Sequence, residues 1–599
     1  MSECLRRSVT VARGARPPGA PHASSISSAV HMPVRRRFLG WVTVALLVSV
    51  ATLVRAQSFT AMVKAPDGTP LATDVYLPPL GGPWPIVLIR TPYGKDGAAD
   101  TCTAFVLLGY GCVAQDTRGR YASGGTNTVF RDAGADGHAT VDWIARQPWC
   151  NGAIGTFGAS ALGITQYLMA PGAPAAFRCE IPIVATPDLY RDALFQGGVL
   201  RQSLVEGWLS SQGAGDMLYR VLDHRSPGSW WNPVESLSRA ASVNAAGLHM
   251  GGWFDIFSQG TLDAFSAFQR DGGPGARGHQ YLVIGPWTHH GFDQRAEGQL
   301  VFPPNATIDV VGLWKRFFDD ELRGKDTGVT RWPAVRVYLM GACGTTGAPG
   351  NRWVALDRWP PPARMRHLYL SDGGGLSWDV PRSSESSLTS DPEDPVPTLG
   401  GANLYPDLAV AGRTMGAGPY DQRPIESRDD VLVFSTPPLR APLTVMGRVT
   451  ASIWVVPDTP DLDLAVRLTD VYPDGRSMLL CDGIARARYR NGMDHEAFLT
   501  PGVPAQLTID LWSTAIVFAT GHRVRIILSG SNAPRFEVNP NDGSDPAGGI
   551  TGIVAHPRIL LGGTRPSFIT LPIVPAPRRS SGRMRPAQAS RGGVRDVLR

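Results

Sequence analysis

The sequence predicts an α/β domain with a mostly parallel sheet, followed by an all-β domain. In the first half, solid apolar runs such as PIVLIR (85–90) and GCVAQD (111–116) alternate with stretches of helical spacing such as 133–147. Solid apolar runs are typical of strands buried on both faces of a parallel sheet. After about residue 330, short alternating runs separated by Gly, Pro and Asp replace the helical stretches. That pattern is typical of a β-sandwich or jelly roll.

The α/β part begins with residues 58–80, which alternate apolar and polar side chains around Asp67-Gly68 and so predict a hairpin. The elements expected next are strand 85–90, helix 101–109, strand 111–116, helix 133–147 and strand 153–158. Strands that alternate with helices in this way predict a doubly wound sheet.

Residues 172–246 lack solid strand runs, and 198–222 has helical spacing with Trp, Leu and Met, so we expect an inserted helical cap. The α/β pattern returns at 247–268 and 280–287, and a helix is expected at 311–323. The runs assigned to the sandwich are 334–341, 367–372, 431–436, 443–456, 464–472, 507–512 and 523–531, around a loop-rich stretch at 373–430.

The predicted organisation has six segments. They are an N-terminal extension with an export signal at 1–57, the first part of the α/β core at 58–171, a helical cap at 172–246, the second part of the core at 247–330, a jelly-roll domain with its connecting segment at 331–575, and a basic disordered tail at 576–599.

The net charge of +6 comes from the two ends of the chain. Residues 1–57 contain eight Arg and one Glu, and residues 576–599 contain seven Arg and one Asp, which leaves −7 for the remainder. The folded part is therefore mildly acidic, and no nucleic-acid partner is expected.

The stretch RRRFLGWVTVALLVSVATLVRA (35–56) has an Arg cluster, an apolar run and a Val-Arg-Ala cleavage pattern. It resembles a secretory signal, and Arg-Arg-Arg-Phe-Leu also fits a twin-arginine signal. We expect a periplasmic or secreted protein that meets the membrane only during export. A retained membrane anchor is the alternative, and either Met1 or Met32 is the start.

Cysteines are few for an exported chain: Cys102, Cys112, Cys150, Cys179, Cys343 and Cys481 remain after cleavage. Cys102/Cys112 and Cys150/Cys179 are candidate pairs, although spacing does not fix connectivity. No Cys/His spacing suggests a metal, so neither a metal nor another cofactor is expected.

Ser160 lies in Gly158-Ala159-Ser160-Ala161-Leu162-Gly163, between a predicted strand and a helical run. This is a variant of the G-x-S-x-G nucleophile elbow, with the second Gly one place further on. The alternative is an ordinary helix N-cap, for which Ser is well suited.

Two further candidates follow predicted strands in the order expected of an α/β-hydrolase, Ser, Asp, His. Asp255 lies in GGWFDIF (251–257) and His289 in GPWTHHG (285–291), where the neighbouring His290 creates an ambiguity. Together with Ser160 they supply a nucleophile, a base and an orienting acid.

Over about residues 58–575 the chain resembles the cocaine esterase-like CocE/NonD hydrolase family, which is similar to X-prolyl dipeptidyl aminopeptidases, glutaryl cephalosporin acylases and α-amino-acid ester hydrolases. The motifs that carry the resemblance are IRTPYGK (89–95), QDTRGRYASGG (115–125), PWCNGAIGTFGASALG (148–163), GGWFDIFSQGTLDAF (251–265), GPWTH (285–289), DPVPTLGG (394–401), GPYDQRP (418–424) and NAPRFEVNPN (532–541). The resemblance implies an α/β-hydrolase core with an inserted helical cap, followed by an all-β jelly-roll domain.

The resemblance also implies site roles. Ser160 matches the nucleophile, Asp255 the orienting acid, and His289, which follows Gly-Pro-Trp-Thr, the base. Tyr93 and the N–H of Ala161 match the oxyanion hole, and Leu162 and Phe257 match the acyl pocket. The implied reaction cleaves a small-molecule ester or amide through an acyl-enzyme.

Ile256, Phe257 and Ser258 follow Asp255 where the amino-ester hydrolases place extra carboxylates, which favours an apolar acyl group and an ester. Amidase or acylase activity and X-Pro dipeptidyl-peptidase activity on the same residues are alternatives. A non-catalytic secreted protein that binds carbohydrate or a surface through the jelly roll is an alternative of another class. A homodimer is possible on the sequence.

Three other features have structural and functional interpretations. Asp116 and Arg118 are expected to form a buried structural pair rather than part of a phosphate loop. The acidic turn 458–463 is expected to be structural rather than a calcium site. Trp230-Trp231 either lines a substrate pocket or packs the cap.

Overall fold

The computed structural model of the chain describes residues 57–410, 412–548 and 551–575. The predicted export signal and the predicted basic tail at 576–599 lie outside the described residues. Within the described ranges, no helix combines the length and the apolar character needed to cross a bilayer.

The first part of the α/β core begins with a hairpin and continues with alternating strands and helices. Its strands are β1 Gln57–Lys64, β2 Pro70–Leu77, β3 Trp84–Thr91, β4 Gly111–Asp116, β5 Cys150–Ala159 and β6 Phe177–Ile183. Its helices are α1 Ala99–Leu107, α2 Ala133–Ala145 and α3 Ala161–Met169, and a 3-10 helix covers Lys95–Ala98. β3 and β4 are buried along nearly their whole length, as their solid apolar runs predict.

Short helices and turns occupy the chain between β6 and the next long strand. They are a π-helix at Leu189–Leu194, the two-residue strands β7 Phe195–Gln196 and β8 Val199–Leu200, helices α4 Gln202–Ser211 and α5 Asp216–Leu222, and 3-10 helices at Ser229–Val234 and Leu237–Ser242. The segment predicted as the cap, 172–246, begins too early, because Phe177–Ile183 forms β6, which pairs in parallel with β5 and with the strand Ala246–Phe254 in the core sheet. We call residues 184–245 the cap.

The core then resumes. Its remaining strands are β9 Ala246–Phe254, β10 Gln280–Thr288, the short pair β11 Ala296–Glu297 and β12 Leu300–Val301, β13 Val335–Leu339 and β14 Arg352–Leu356. Its remaining helices are α6 Ser258–Asp271 and α7 Val310–Arg323, with 3-10 helices at Pro304–Ala306 and Val329–Arg331. Ten strands form one sheet in the order β1-β2-β4-β3-β5-β6-β9-β10-β13-β14. The strands from β4 to β13 in that order pair in parallel.

One predicted strand belongs to a different sheet from the one expected. The run 334–341 was assigned to the sandwich, but β13 pairs in parallel with β10, with Leu282 opposite Val335. That assignment is wrong, because a short apolar run has the same pattern in a parallel core sheet and in a sandwich.

The C-terminal domain is all-β apart from short helical turns. Its strands are β15 Arg364–Ser371, β16 Gly375–Ser377, β17 Ser384–Ser387, β18 Ala409–Val410, β19 Arg413–Thr414, β20 Val431–Ser435, β21 Leu443–Val456, β22 Asp463–Val471, β23 Ser477–Arg486, β24 Ala505–Phe518, β25 Arg523–Ser529, β26 Arg558–Leu561 and β27 Phe568–Ile573. The helical turns are α8 Arg423–Glu426 and 3-10 helices at Asp372–Gly374, Ala487–Tyr489 and Pro546–Gly548. Eleven of the strands form one sheet network, and the predicted fold class is confirmed.

The acidic turn of the β domain is held by arginines. Asp461 and Asp463 are buried, and each carboxylate receives a guanidinium, from Arg488 at 2.8 Å and from Arg486 at 2.9 Å. Asn539 also donates to both carboxylates at 2.8 Å. The turn is therefore structural, as expected, and its oxygens are occupied.

The same arginine network joins the β domain to the cap. Glu537 accepts hydrogen bonds from Arg486 of the β domain at 2.6 Å and from Arg225 of the cap at 2.8 Å. Glu537 and Arg486 are both buried, so these ion pairs are shielded from solvent. Removing one partner would leave an uncompensated buried charge, which makes the contact specific for this arrangement of the cap.

The disulfide candidates have different outcomes. Cys102 of α1 and Cys112 of β4 form a disulfide, whereas Cys150 and Cys179 are buried free thiols. The bridge ties the first core helix to its neighbouring strand.

Glu180 is an uncompensated acid in the centre of the sheet. It lies on β6, is completely buried, and neither carboxyl oxygen has a hydrogen-bond partner among the described residues. Burial raises the pKa of this carboxyl from 4.5 to about 8. The folded protein keeps this proton up to about pH 8, whereas the unfolded chain releases it above pH 4.5. The free energy of unfolding therefore falls as the pH rises from 4.5 towards 8.

We expect Glu180→Gln to remove that dependence on pH. The gain in free energy of unfolding over the wild type should grow between pH 5 and pH 8 by up to about 1.4 kcal/mol per pH unit. Denaturant unfolding of both proteins at several pH values measures the difference. The exposed carboxylate of Asp142, changed to Asn, is the control and should give a difference that varies little with pH. An equally constant difference for Glu180→Gln would contradict the assignment.

Candidate active site

Ser160 lies on a strained turn between β5 and α3. Its φ of 58° and ψ of −123° are unusual for a residue with a side chain, and its N–H donates to the carbonyl of Ile183 at 2.8 Å. Its hydroxyl makes no capping hydrogen bond to α3. The helix-cap alternative is therefore wrong, and the hydroxyl is directed elsewhere.

Gly158 and Gly163 make the turn possible. Gly158 has φ of 149°, and a Cβ there would lie 2.5 Å from Cβ of Leu162. A Cβ on Gly163 would lie 2.5 Å from Cβ of Ala185. The displaced second glycine of the motif thus serves close packing of α3 against the loop after β6.

Asp255 and His289 follow the ends of neighbouring strands, β9 and β10, and their side chains meet Ser160. His289 Nε2 lies 2.9 Å from Ser160 Oγ, and His289 Nδ1 lies 2.6 Å from Asp255 Oδ1. Asp255 is completely buried, and the imidazole is 5% exposed. Three residues far apart in sequence thus form one hydrogen-bonded row at the carboxyl edge of the sheet.

The ambiguity between the two histidines is resolved by their contacts. The ring of His290 packs edge-on against the ring of His289, 5.5 Å between centroids, and its Nε2 bonds the backbone carbonyl of Leu404 at 2.9 Å. A hydrogen bond fixes the start of the loop that carries both histidines: Thr288 N–H donates to the buried carboxyl of Glu297 at 3.0 Å. His289 is therefore the histidine placed beside Ser160.

Tyr93 follows β3 and brings its hydroxyl to the same edge. Burial raises the pKa of the Tyr93 phenol, while hydrogen bonds with Trp208 and Ser160 act in the opposite direction. Trp208 of the cap donates from Nε1 to the Tyr93 oxygen at 3.0 Å. With that lone pair engaged and its proton retained, the phenol is a donor available to an oxygen at Ser160.

The second predicted donor is the N–H of Ala161. Ala161 is the first residue of α3, and the first N–H groups of a helix have no acceptor within the helix. A helix N-terminus also favours negative charge. The geometry at Ser160 therefore suits a developing oxyanion.

A cavity that is partly open to solvent extends from Ser160 beneath the cap. Its wall is mostly apolar and includes Phe257, as predicted, together with Trp208 and Leu404. The prediction for Leu162 is wrong for this cavity: its side chain packs with the core cluster around Phe157 and Trp314 instead. Successive helix positions point about 100° apart, so Leu162 faces away from the wall formed by Ala161.

The tryptophan pair both lines the cavity and packs the cap, the two roles considered for it. Trp230 and Trp231 line the cavity, and Trp231 is also buried against Tyr190 at 5.1 Å between ring centroids. Trp208, whose importance the sequence analysis missed, stacks on Phe130 at 5.4 Å. Its position in the apolar part of 198–222 was the available signal.

The predicted pair of Asp116 and Arg118 does not form. Arg118 binds Asp136 at 2.6 Å and Asp67, whereas Asp116 accepts the backbone N–H of Lys95 at 2.6 Å. Asp116 is the last residue of β4, whereas Arg118 lies in the turn beyond it, where strand alternation no longer fixes the direction of a side chain. Each residue therefore finds its own partner. Both still stabilise loops next to the site.

This arrangement has the parts of a serine hydrolase: a hydroxyl, an imidazole, a buried carboxylate and candidate oxyanion donors. In the described part of the chain, no three His, Cys, Asp or Glu side chains are grouped so as to hold a metal ion. Fold and site together define the class of protein as an α/β-hydrolase that acts through a serine.

Comparison with known proteins gives the family. Residues 67–217 and 209–291 match the X-Pro dipeptidyl-peptidase (S15 family), and residues 327–570 match the X-Pro dipeptidyl-peptidase C-terminal non-catalytic domain. A cocaine esterase from Rhodococcus sp. is 32% identical over 590 residues, which cover 86% of this chain and 98% of that protein. The chain belongs to the family of this cocaine esterase, the CocE/NonD serine hydrolases, and the prediction of an enzyme of this kind is confirmed.

Solved structures share the fold. An α-amino acid ester hydrolase, 24% identical, superimposes with a TM-score of 0.73 over 87% of this chain and 97% of its own. A CocE/NonD family hydrolase from Staphylococcus aureus, 18% identical, gives a TM-score of 0.68 over 87% of this chain and 94% of its own.

The turn at Ser160 gives a direct prediction. We expect Gly158→Ala to reduce the rate of labelling of Ser160 by a fluorophosphonate, because the new Cβ would clash with Leu162. Gly152 on the same strand is the matched control: it also has positive φ, at 85°, but nothing lies within 4 Å of its Cβ position. Gly152→Ala should lose only stability, about 1–2 kcal/mol. Equal labelling rates for the two folded variants would argue against a turn that depends on Gly158.

Proposed function

We propose that the protein hydrolyses carboxylic esters of small molecules through an acyl-enzyme formed on Ser160. The observation that carries the proposal is the hydrogen-bonded row Ser160–His289–Asp255, which opens on an apolar cavity. A relative of similar length whose name is cocaine esterase supports an ester as the substrate.

In the proposed mechanism, His289 takes the proton from Ser160 as the hydroxyl oxygen attacks the ester carbonyl. Asp255 keeps the Nδ1 hydrogen of His289 in place and stabilises the imidazolium that forms. His289 then donates its proton to the leaving alcohol. A water molecule, deprotonated in turn by His289, attacks the acyl carbon and releases the acid and Ser160.

The tetrahedral oxyanion would be held by the Tyr93 hydroxyl and the Ala161 N–H. One such donor is worth about 10²–10³ in rate in serine hydrolases. Trp208 fixes the phenol from the cap side, so the cap contributes to the site as well as to the pocket.

The wall of the cavity supports an apolar acyl group. Among the described residues, those lining it include a single charged side chain, Arg131, and no carboxylate. A carboxylate is the group that would balance the ammonium of an α-amino acid substrate. This favours simple esters over amino-acid esters and X-Pro peptides, while amidase or acylase activity on the same residues is the second candidate.

The adjacent histidines provide an internal control for the catalytic assignment. Ser160→Ala and His289→Gln should each lower kcat for a p-nitrophenyl ester by about 10⁴–10⁶-fold. His290→Gln should stay within a few-fold of wild type, because the hydrogen bond of its ring goes to a backbone carbonyl and not to Ser160 or Asp255. Fluorophosphonate labelling should disappear in Ser160→Ala and become much slower in His289→Gln, because the imidazole activates the Ser160 hydroxyl, and it should stay near the wild-type rate in His290→Gln. A large loss in His290→Gln with activity kept in His289→Gln would reverse the assignment.

Substrate class is tested by a matched panel of p-nitrophenyl esters, β-lactam side-chain amides and X-Pro anilides. We expect kcat/KM to be highest for esters with apolar acyl chains and to fall when an α-ammonium is added to the same acyl chain. Higher kcat/KM for X-Pro anilides than for every ester would support the peptidase alternative instead.

We also propose export to the periplasm or medium, on the signal-like pattern at 35–56. N-terminal sequencing of the protein from the producing cells, fraction by fraction, tests it. A mature end near residue 57 outside the cytoplasm supports export, and an uncleaved chain in the cytoplasm excludes it.

A further inference from the structure

Arg201 is a buried cation behind the candidate active site. It immediately precedes α4 of the cap, and the residue is 1% exposed. Its guanidinium donates to three backbone carbonyls rather than to a carboxylate: Nη1 to Asp192 and, at 2.8 Å, to Ile256, and Nη2 to Ala402 at 3.4 Å. Among the residues that the structure describes, no carboxylate forms a direct ion pair with it.

The carbonyl of Ile256 belongs to the peptide that holds Asp255. The N–H of that same peptide, on Phe257, donates to Asp255 Oδ2 at 3.0 Å. Asp255 Oδ1 is the oxygen bonded to His289 Nδ1 at 2.6 Å. A single row of hydrogen bonds thus runs from the guanidinium through one peptide to the carboxylate, the imidazole and Ser160.

We propose that Arg201 is a positioning residue of this site, which acts on Asp255 through the Ile256–Phe257 peptide; the inference rests on the proposed function. The cation polarises the peptide carbonyl, which strengthens the N–H donated at the other end of the peptide. Oδ2 is thereby fixed, and Oδ1 is left for His289.

The charge also acts directly across the buried space. Burial lowers the pKa of Arg201 to about 9, and the negative charge of Asp255 is among the groups that oppose this shift. Arg201 is therefore cationic near neutral pH. A completely buried carboxylate is costly unless it is hydrogen-bonded and balanced by charge, and Arg201 supplies that balance without bonding to the carboxylate itself.

Arg201 links all three parts of the chain to the site. Arg201 belongs to the cap, and its guanidinium donates a hydrogen bond to Ile256 of the core. It also contacts the C-terminal domain at Ala402 and at the ring of Trp512, whose centroid lies 5.3 Å from the guanidinium carbon. The β domain therefore closes the back of the site as well as covering the core.

The experiment compares Arg201→Gln and Arg201→Lys with wild type on one p-nitrophenyl ester, with active sites counted by fluorophosphonate titration so that unfolded protein does not enter kcat. We expect kcat per titrated site to fall about 10- to 100-fold in Arg201→Gln, the worth of a hydrogen bond to a charged group. KM should change little, since Arg201 does not line the cavity. Arg201→Lys should recover part of the loss. The proton NMR signal of the hydrogen between His289 and Asp255 should shift in both variants.

Arg467→Gln is the matched control, because Arg467 is also a completely buried arginine but bonds Ser529 within the β domain. It should lose stability with kcat per titrated site unchanged. If Arg201→Gln does not fold, Arg201→Lys carries the test, since it keeps the buried charge. An unchanged kcat per titrated site and an unshifted signal would overturn the role of Arg201 alone, whereas absence of Ser160 labelling in wild type would overturn the proposed function.

Discussion

The hydrogen bond between His289 and a completely buried Asp255 is the interaction on which the site depends. An ionised carboxylate away from water is stable only when its oxygens are satisfied. Both oxygens of Asp255 are engaged, one by His289 and the other by the N–H of Phe257. The surrounding structure can be understood as the means of keeping this carboxylate dry, fixed and charged.

Each part of the chain contributes to that requirement. The parallel sheet brings the ends of β5, β9 and β10 together, so that hydroxyl, carboxylate and imidazole meet. The cap covers them and supplies Trp208 and Arg201. The β domain contacts the cap through the ion pair of Glu537 with Arg225, and it contacts Arg201 through the ring of Trp512. A site of this kind is not complete in the α/β core alone.

Most of the element order could be predicted from the sequence, because solid apolar runs define strands, but β6 was missed within the predicted cap. Ser160 and Asp255 could be predicted because they directly follow strands, whereas the choice of His289 over His290 came from the family resemblance. The placement of 334–341 could not, since its pattern fits either sheet. Leu162 was wrongly assigned to the cavity wall, because successive side chains on α3 point about 100° apart and Leu162 therefore faces away from the wall that Ala161 forms. Arg201 carried no motif: its importance comes from a peptide 55 positions away in sequence, which only the fold brings near.

The most direct test is a crystal structure of the protein after reaction with a fluorophosphonate. We expect phosphorus bonded to Oγ of Ser160, with the phosphonyl oxygen within hydrogen-bond distance of both the Tyr93 hydroxyl and the Ala161 N–H, and with the His289–Asp255 contact kept. Phosphorus on another residue, or a phosphonyl oxygen directed away from both donors, would contradict it.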